Sequence, residues 1–407
     1  SPSSAASDVY KRQSLNYVFP ENFIWGAATA GHQIEGNNTS SDWWAREHSP
    51  RTDVSEPSGD AANSYNRYRE DVRLLADSGL TMYRFGIEWA RIEPVEGCFS
   101  KAELLHYRAM IDACHEFGVE PMVTIYHFTM PLWFAAEGGW KRPDALDKFK
   151  RYVSYVLPIL NDVTWICTIN EPNMVALTQG GTEGTDFVAA SLPAPDPVIS
   201  KALVDAHHMS RAVIKSELPD AKVGWTIACQ AFHAVPGCEK EMEEYQYPRE
   251  DYFTEAGAGD DFIGVQAYLR TFIGKDGPVP VDDDVERTLT GWEYYPPALG
   301  IAVRHTWDVA KHTPIFVTEN GIATADDRRR IDYTFDALAG LHDAMDDGID
   351  VRGYAHWSLL DNYEWGSFKP TFGLIGWDKD TFERQPKASL NWLGSISRTG
   401  VVTHPYR

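Results

Sequence analysis

The chain has 407 residues, of which 43% are apolar and 24% charged, the profile of a folded globular protein with a large core. A formal net charge of -22 argues against nucleic acid or an anionic membrane surface as a partner. No apolar run reaches the roughly 18 residues that a membrane span requires.

Ser1 to Gln13 is polar and lacks an apolar signal core. Residues 1–15 read as a disordered tail and 16–407 as one domain. A cytoplasmic location is expected, with secretion left open because the sequence lacks a starting Met. A strand over 23–28 precedes a helix over 64–78, which carries Tyr65, Tyr68, Val72, Leu74 and Leu75 on one side. A strand over 82–86 precedes a helix over 101–117, which carries Leu104, Leu105, Tyr107, Met110, Ile111 and Cys114. Strands over 121–126, 164–169 and 222–228 alternate with helices over 149–160 and 198–218. A strand over 262–265 leads to a helix over 297–311. A strand over 314–318 leads to a helix over 332–347, and a final strand covers 351–354. Repeated strand-then-helix order implies right-handed parallel crossovers. About eight such units in one undivided chain predict an α/β fold of the (β/α)8 TIM-barrel type, with the site at the carboxyl ends of the strands. No dinucleotide glycine signature and no phosphate-binding Gly-rich loop with Lys-Ser/Thr is present.

Two of these strands end in a glutamate. Glu171 closes the run from Trp165 through Asn170 and precedes Pro172; Glu319 closes the run from Pro314 through Thr318 and precedes Asn320-Gly321. Buried parallel strands normally exclude ionised groups. Two carboxylates at strand mouths therefore suggest a paired-carboxylate site suited to glycosidic bond cleavage, with about 5 Å between the carboxyls if configuration is retained. Other polar residues gather at the same predicted rim: His32, Gln33 and Glu35; Arg84, Glu88 and Trp89; His127; Asn170; Gln266 and Tyr268; Trp357, Asp361, Asn362, Glu364 and Trp365.

Each has a plainer reading. Glu171 could start a helix at Pro172, Asn320-Gly321 could be ordinary turn chemistry, and Arg84 and His127 could be buried structural groups. Their joint placement on successive strand ends favours the site. Arg84 and Tyr268 are the donors that could hold a nucleophilic carboxylate ionised. The acid needs burial and a negative neighbour to keep its proton. Which glutamate Arg84 faces stays open at this level. The 14 Trp residues suit either core packing or a sugar platform. The 5 cysteines form no CxxC pair and read as buried free thiols in a reducing compartment. His207-His208 has no further ligand at metal spacing. Neither a metal nor a cofactor is expected.

From Phe19 to about Trp392 the chain resembles glycoside hydrolase family 1, the β-glucosidase and β-galactosidase family. Phe19-Pro20-Glu21-Asn22-Phe23-Ile24-Trp25-Gly26 followed by Gln33-Ile34-Glu35-Gly36 resembles its N-terminal signature. Thr168-Ile169-Asn170-Glu171-Pro172 resembles its acid/base motif, and Val317-Thr318-Glu319-Asn320-Gly321 its nucleophile motif. Trp357-Ser358-Leu359-Leu360-Asp361-Asn362-Tyr363-Glu364-Trp365 resembles its glycone-binding segment. The resemblance implies Glu319 as nucleophile, Glu171 as acid/base, and Arg84 and Tyr268 as supports of Glu319. It implies Gln33, His127, Asn170, Glu364 and Trp365 as glycone ligands, Trp357 as the floor and Phe372 as a wall. The implied reaction is retaining exo-hydrolysis of a small-molecule or oligosaccharide β-glycoside through a glycosyl-enzyme intermediate. The glycone would be glucose, galactose or fucose, and unphosphorylated, because Glu364 would repel a 6-phosphate. A transglycosidase would use the same residues, and a carbohydrate-binding pseudoenzyme is the alternative from another class.

Three departures stand out. Gln266 and Ala267 replace the family's usual Asn and Tyr, and His32 replaces its usual Tyr. A brief Gly-rich loop over 180–193 replaces a long one, which predicts a more open leaving-group side.

Overall fold

The computed structural model describes residues 16–178 and 192–407. The tail expected over 1–15, and most of the loop expected over 180–193, lie outside the described residues.

Parallel strands β1 (Ile24–Ala28), β2 (Met82–Gly86), β3 (Glu120–Tyr126), β4 (Trp165–Asn170), β5 (Lys222–Ala234), β6 (Ile263–Gly274), β7 (Ile315–Glu319) and β8 (Val351–Trp357) form one ring. Each pairs with the next in chain order, and β8 returns to β1 with Trp357 opposite Ala28. Helices lie between the strands, among them α1 (Ser64–Ser78), α2 (Lys101–Glu116), α3 (Ala145–Val156), α4 (Pro172–Thr178), α5 (Pro197–Glu217), α6 (Ala298–Val309) and α7 (Asp327–Asp346). This is the (β/α)8 barrel that the alternation of patterns predicts.

Every residue of β2, β4 and β7 is buried. Helices cover one face and barrel-filling side chains the other, which is why these strands read as continuous apolar runs. Met82, Met122, Trp165, Cys167, Phe262 and Phe316 pack into one inner cluster. The Trp165 and Phe316 rings lie 5.1 Å apart. Gly353 makes room for this filling, since a Cβ there would stand 2.5 Å from Phe316 Cζ.

Local signals set the helix starts. The Ser100 hydroxyl accepts from the Glu103 N–H, and Asp196 accepts from the N–H groups of Val198 and Ile199 just before Pro197. Helices α3 and α7 begin earlier than their apolar stripes suggest, at Ala145 and Asp327. A cap explains the second case, because Asp326 accepts from the Arg328 N–H. A buried Asp71–Arg384 pair, Oδ1 to Nε at 2.7 Å, ties α1 to the chain beyond β8.

Two strands depart from expectation. β5 and β6 run on to Ala234 and Gly274 instead of stopping near 228 and 265. Beyond the ring they stay paired, with Phe232 opposite Thr271, and Gly277–Val279 folds back along β6. Burial alternates along the end of β5, so a search for unbroken apolar runs stops at the ring. The cysteines need a correction as well. Cys114, Cys167, Cys229 and Cys238 are buried free thiols, but Cys98 is exposed. It lies in the polar turn around Val95, which offers nothing to cover it. Among the described residues no helix is long and apolar enough to cross a membrane.

Candidate active site

The two glutamates reach the rim in different ways. Glu319 is the last residue of β7, on extended backbone, and is buried. Glu171 follows β4 with φ at 44°, a left-handed conformation that non-glycine residues rarely hold. Its N–H donates to Thr226 O, while its carbonyl accepts from Met174 and Val175 in the first turn of α4. Glu171 therefore does begin a helix. Its carboxyl, however, turns to Gln266 Nε2, which donates to Oε2 at 2.7 Å.

Arg84 faces Glu319. Its Nη1 donates to Glu319 Oε2 at 2.7 Å, and its Nε donates to Thr124 Oγ1 at 3.0 Å. The Tyr268 hydroxyl donates to Glu319 Oε1 at 2.6 Å. Each carboxylate oxygen of Glu319 thus holds a strong donor, one of them charged. Arg84 Nη2 also donates to Asn170 Oδ1 at 2.7 Å, and that oxygen accepts from Thr226 and Gln266, both at 3.1 Å. Three donors on one oxygen fix the Asn170 amide and aim its Nδ2 away from them, towards His127 Nε2 at 3.3 Å. An unbroken chain of contacts therefore runs from Glu319 through Arg84, Asn170 and Gln266 to Glu171.

The electrostatics separate the pair. Burial, joined by the negative charge of Glu319, pushes the Glu171 carboxyl up to about 8. Part of the Glu171 surface stays open to the site, but protein encloses it on most sides. Burial raises Glu319 too, against the opposing pull of Arg84 and the Tyr268 hydroxyl. Glu319 is the member that gives up its proton first, because the cation lies on its side.

The remaining residues singled out above lie around these two. Trp357 is nearly buried and donates through Nε1 to Glu364 Oε1 at 3.0 Å. Burial pushes Glu364 up to about 8, against the Trp357 N–H that favours its charged form. Gln33 Nε2 bonds Asn362 Oδ1 and Tyr363 O. The His127 ring lies parallel to Trp357 at 6.2 Å, and its Nδ1 is buried without a hydrogen-bond partner among the described residues. Trp365 stacks on His32 at 5.7 Å and packs on Trp43. Phe372 is buried and meets the Tyr268 ring edge-on at 5.9 Å. Glu35 and Glu88 belong to the supporting framework. Arg91 and Tyr107 donate to Glu35; Asn38 and Thr129 donate to Glu88.

Sequence reasoning missed several members. Thr124 and Thr226 are single polar residues inside apolar strand runs, a signal that could have found them. Trp292 lies 5.5 Å from Tyr268, on a segment without periodicity. Gln266 stood out as a rim residue and as a departure, but without a role.

Residues 15–255 and 266–401 match the family model of glycosyl hydrolase family 1. Beta-glucosidase A of Thermotoga maritima is 30% identical over 93% of this chain and 97% of its own length. A bifunctional beta-D-glucosidase/beta-D-fucosidase of Bifidobacterium breve is also 30% identical, over 93% of this chain and 98% of its own length. The crystal structure of beta-glycosidase BGL167 superposes with a TM-score of 0.86 at 42% identity, covering 93% of this chain and 97% of the other. A closed barrel, two glutamates on its rim and a match over most of the length lead to one assignment: the chain belongs to glycosyl hydrolase family 1.

Proposed function

We propose that the protein is a retaining exo-β-glycosidase of the β-glucosidase type, with Glu319 as nucleophile and Glu171 as acid and then base. In the first step Glu319 attacks the anomeric carbon while Glu171 protonates the departing oxygen. In the second step Glu171 takes a proton from water, and that water displaces Glu319. The observation that carries this reading is the unequal wiring of the two carboxyls. Glu319 holds Arg84 and Tyr268, which favour the charged form a nucleophile needs. Glu171 holds a neutral amide and feels the charge of Glu319, which keeps a proton available at neutral pH.

Asn170 Nδ2 and the unpartnered His127 Nδ1 suit hydroxyls of the glycone, and Trp357 offers a flat apolar floor. Glu364, half-buried and already poor at holding charge, gains from neutral hydroxyl donors and disfavours a 6-phosphate. Lys369 is exposed on the same loop. Glucose and fucose glycones accord with the activities that name the two relatives. The free cysteines fit a reducing compartment such as the cytoplasm. Hydrolysis of a panel of aryl β-glycosides, followed by NMR at the anomeric carbon, tests the proposal. The first-formed sugar should be the β-anomer; an α-anomer would refute double displacement.

A further inference from the structure

Gln266 is buried on β6, opposite Ala228 of β5 and Glu319 of β7. Its amide has a fixed polarity. Asn170 Oδ1 already accepts from Arg84, so the group of Gln266 that faces it must be Nε2, and Oε1 on the other side accepts from the Thr318 hydroxyl at 2.8 Å. Of the two Nε2 hydrogens, one goes to Asn170 Oδ1 at 3.1 Å and the other to Glu171 Oε2 at 2.7 Å. An oxygen that accepts an N–H at that distance cannot also point a proton at it. The proton of the acid form is therefore excluded from the Gln266-facing side of Oε2.

We infer that Gln266 is a positioning residue that assigns the catalytic proton to Oε1 of Glu171 and couples that acid to Asn170. The inference rests on the reading of Glu171 as acid/base. Asn170, itself fixed by Arg84, holds the amide the right way round, and Thr318 supports it by donating to Oε1. A rotated amide would set Oε1 of Gln266 against Glu171 and would favour a proton on the wrong carboxyl oxygen. The other groups that bear on Glu171 are Glu319 of β7, Arg84 of β2, Tyr268 of β6, Cys229 of β5 and Glu364 beyond β8. None of these fixes which Glu171 oxygen is protonated, because none hydrogen-bonds to the Glu171 carboxyl.

The test compares Gln266→Leu, Thr318→Val and the double variant on two aryl β-glucosides, one with a poor and one with a good leaving group. kcat/KM is read across pH. Gln266→Leu removes a donor that favours the charged acid, so the alkaline limb should move up by about one pH unit. The poor substrate should slow by roughly tenfold or more and the good one much less. Thr318→Val should move the limb the same way by a smaller amount, and the double variant should be no worse than Gln266→Leu. An unmoved limb, or equal slowing of both substrates, would overturn the inference. If Gln266→Leu fails to fold, Gln266→Met, which also lacks the donor, decides the matter by the same two readouts. Glu171→Ala is run alongside. If it shows no leaving-group dependence, the acid/base reading has failed; if it does and Gln266→Leu does not, only the role of Gln266 is lost.

Discussion

The surroundings of Glu319 and Glu171 are built from opposite materials. Glu319 ends a strand on relaxed extended backbone and holds a guanidinium and a phenol. Glu171 sits in a left-handed turn at a helix start and holds one carboxamide. Both are enclosed by protein, and burial raises both. The residue type is the same, so the proposed division of labour comes from the neighbours alone. One cation decides it: Arg84 gives one hand to Glu319 and the other to Asn170, and neither to Glu171.

That contrast can be attacked from its strong side first. Glu319→Gly should cut kcat by about 10⁴-fold or more. Azide should restore turnover of activated glycosides and give the glycosyl azide of inverted configuration. Without rescue, the nucleophile lies elsewhere. Glu171→Ala should lower kcat/KM for poor leaving groups by about 10²- to 10⁴-fold and spare good ones. In the parent enzyme the acid must be protonated, so activity should fall as pH rises through about 8. Glu171→Gln should lose that alkaline limb, and a limb that survives would belong to another group. Tyr268→Phe should have the smallest effect, roughly tenfold in kcat/KM. It removes a donor that favours charged Glu319, so the acidic limb should shift to higher pH. A limb that stays put would show that Arg84 alone sets the charge of Glu319.

The barrel was legible because its period is redundant. Eight apolar runs alternate with helical stripes, and an error at one boundary leaves the count intact. Both glutamates were legible because ionisable residues break runs that otherwise contain none. The partner of Arg84 was not, since β2 and β7 are far apart in sequence and meet only through closure of the ring. The extension of β5 and β6 was hidden by its half-exposed alternation, and Trp292 by its place on an irregular segment. Gln266 was visible as an oddity, but its function depends on Thr318, Asn170 and Glu171 converging from two other strands. Most of the loop expected over 180–193 lies outside the described residues, so the openness predicted for the leaving-group side stands as an expectation.

The overlong pair β5 and β6 makes the mouth lopsided. Glu171 stands on the bank beside β5, its N–H on Thr226 O, and there the ribbon carries Gln230 and Phe232 on one face and Phe272 on the other past the rim. A library confined to those positions would test whether the ribbon meets the aglycone, while the residues of the ring stay unchanged. Leaving-group preference would then be varied at half-buried positions of the ribbon, apart from its buried Ala231, Thr271 and Ile273.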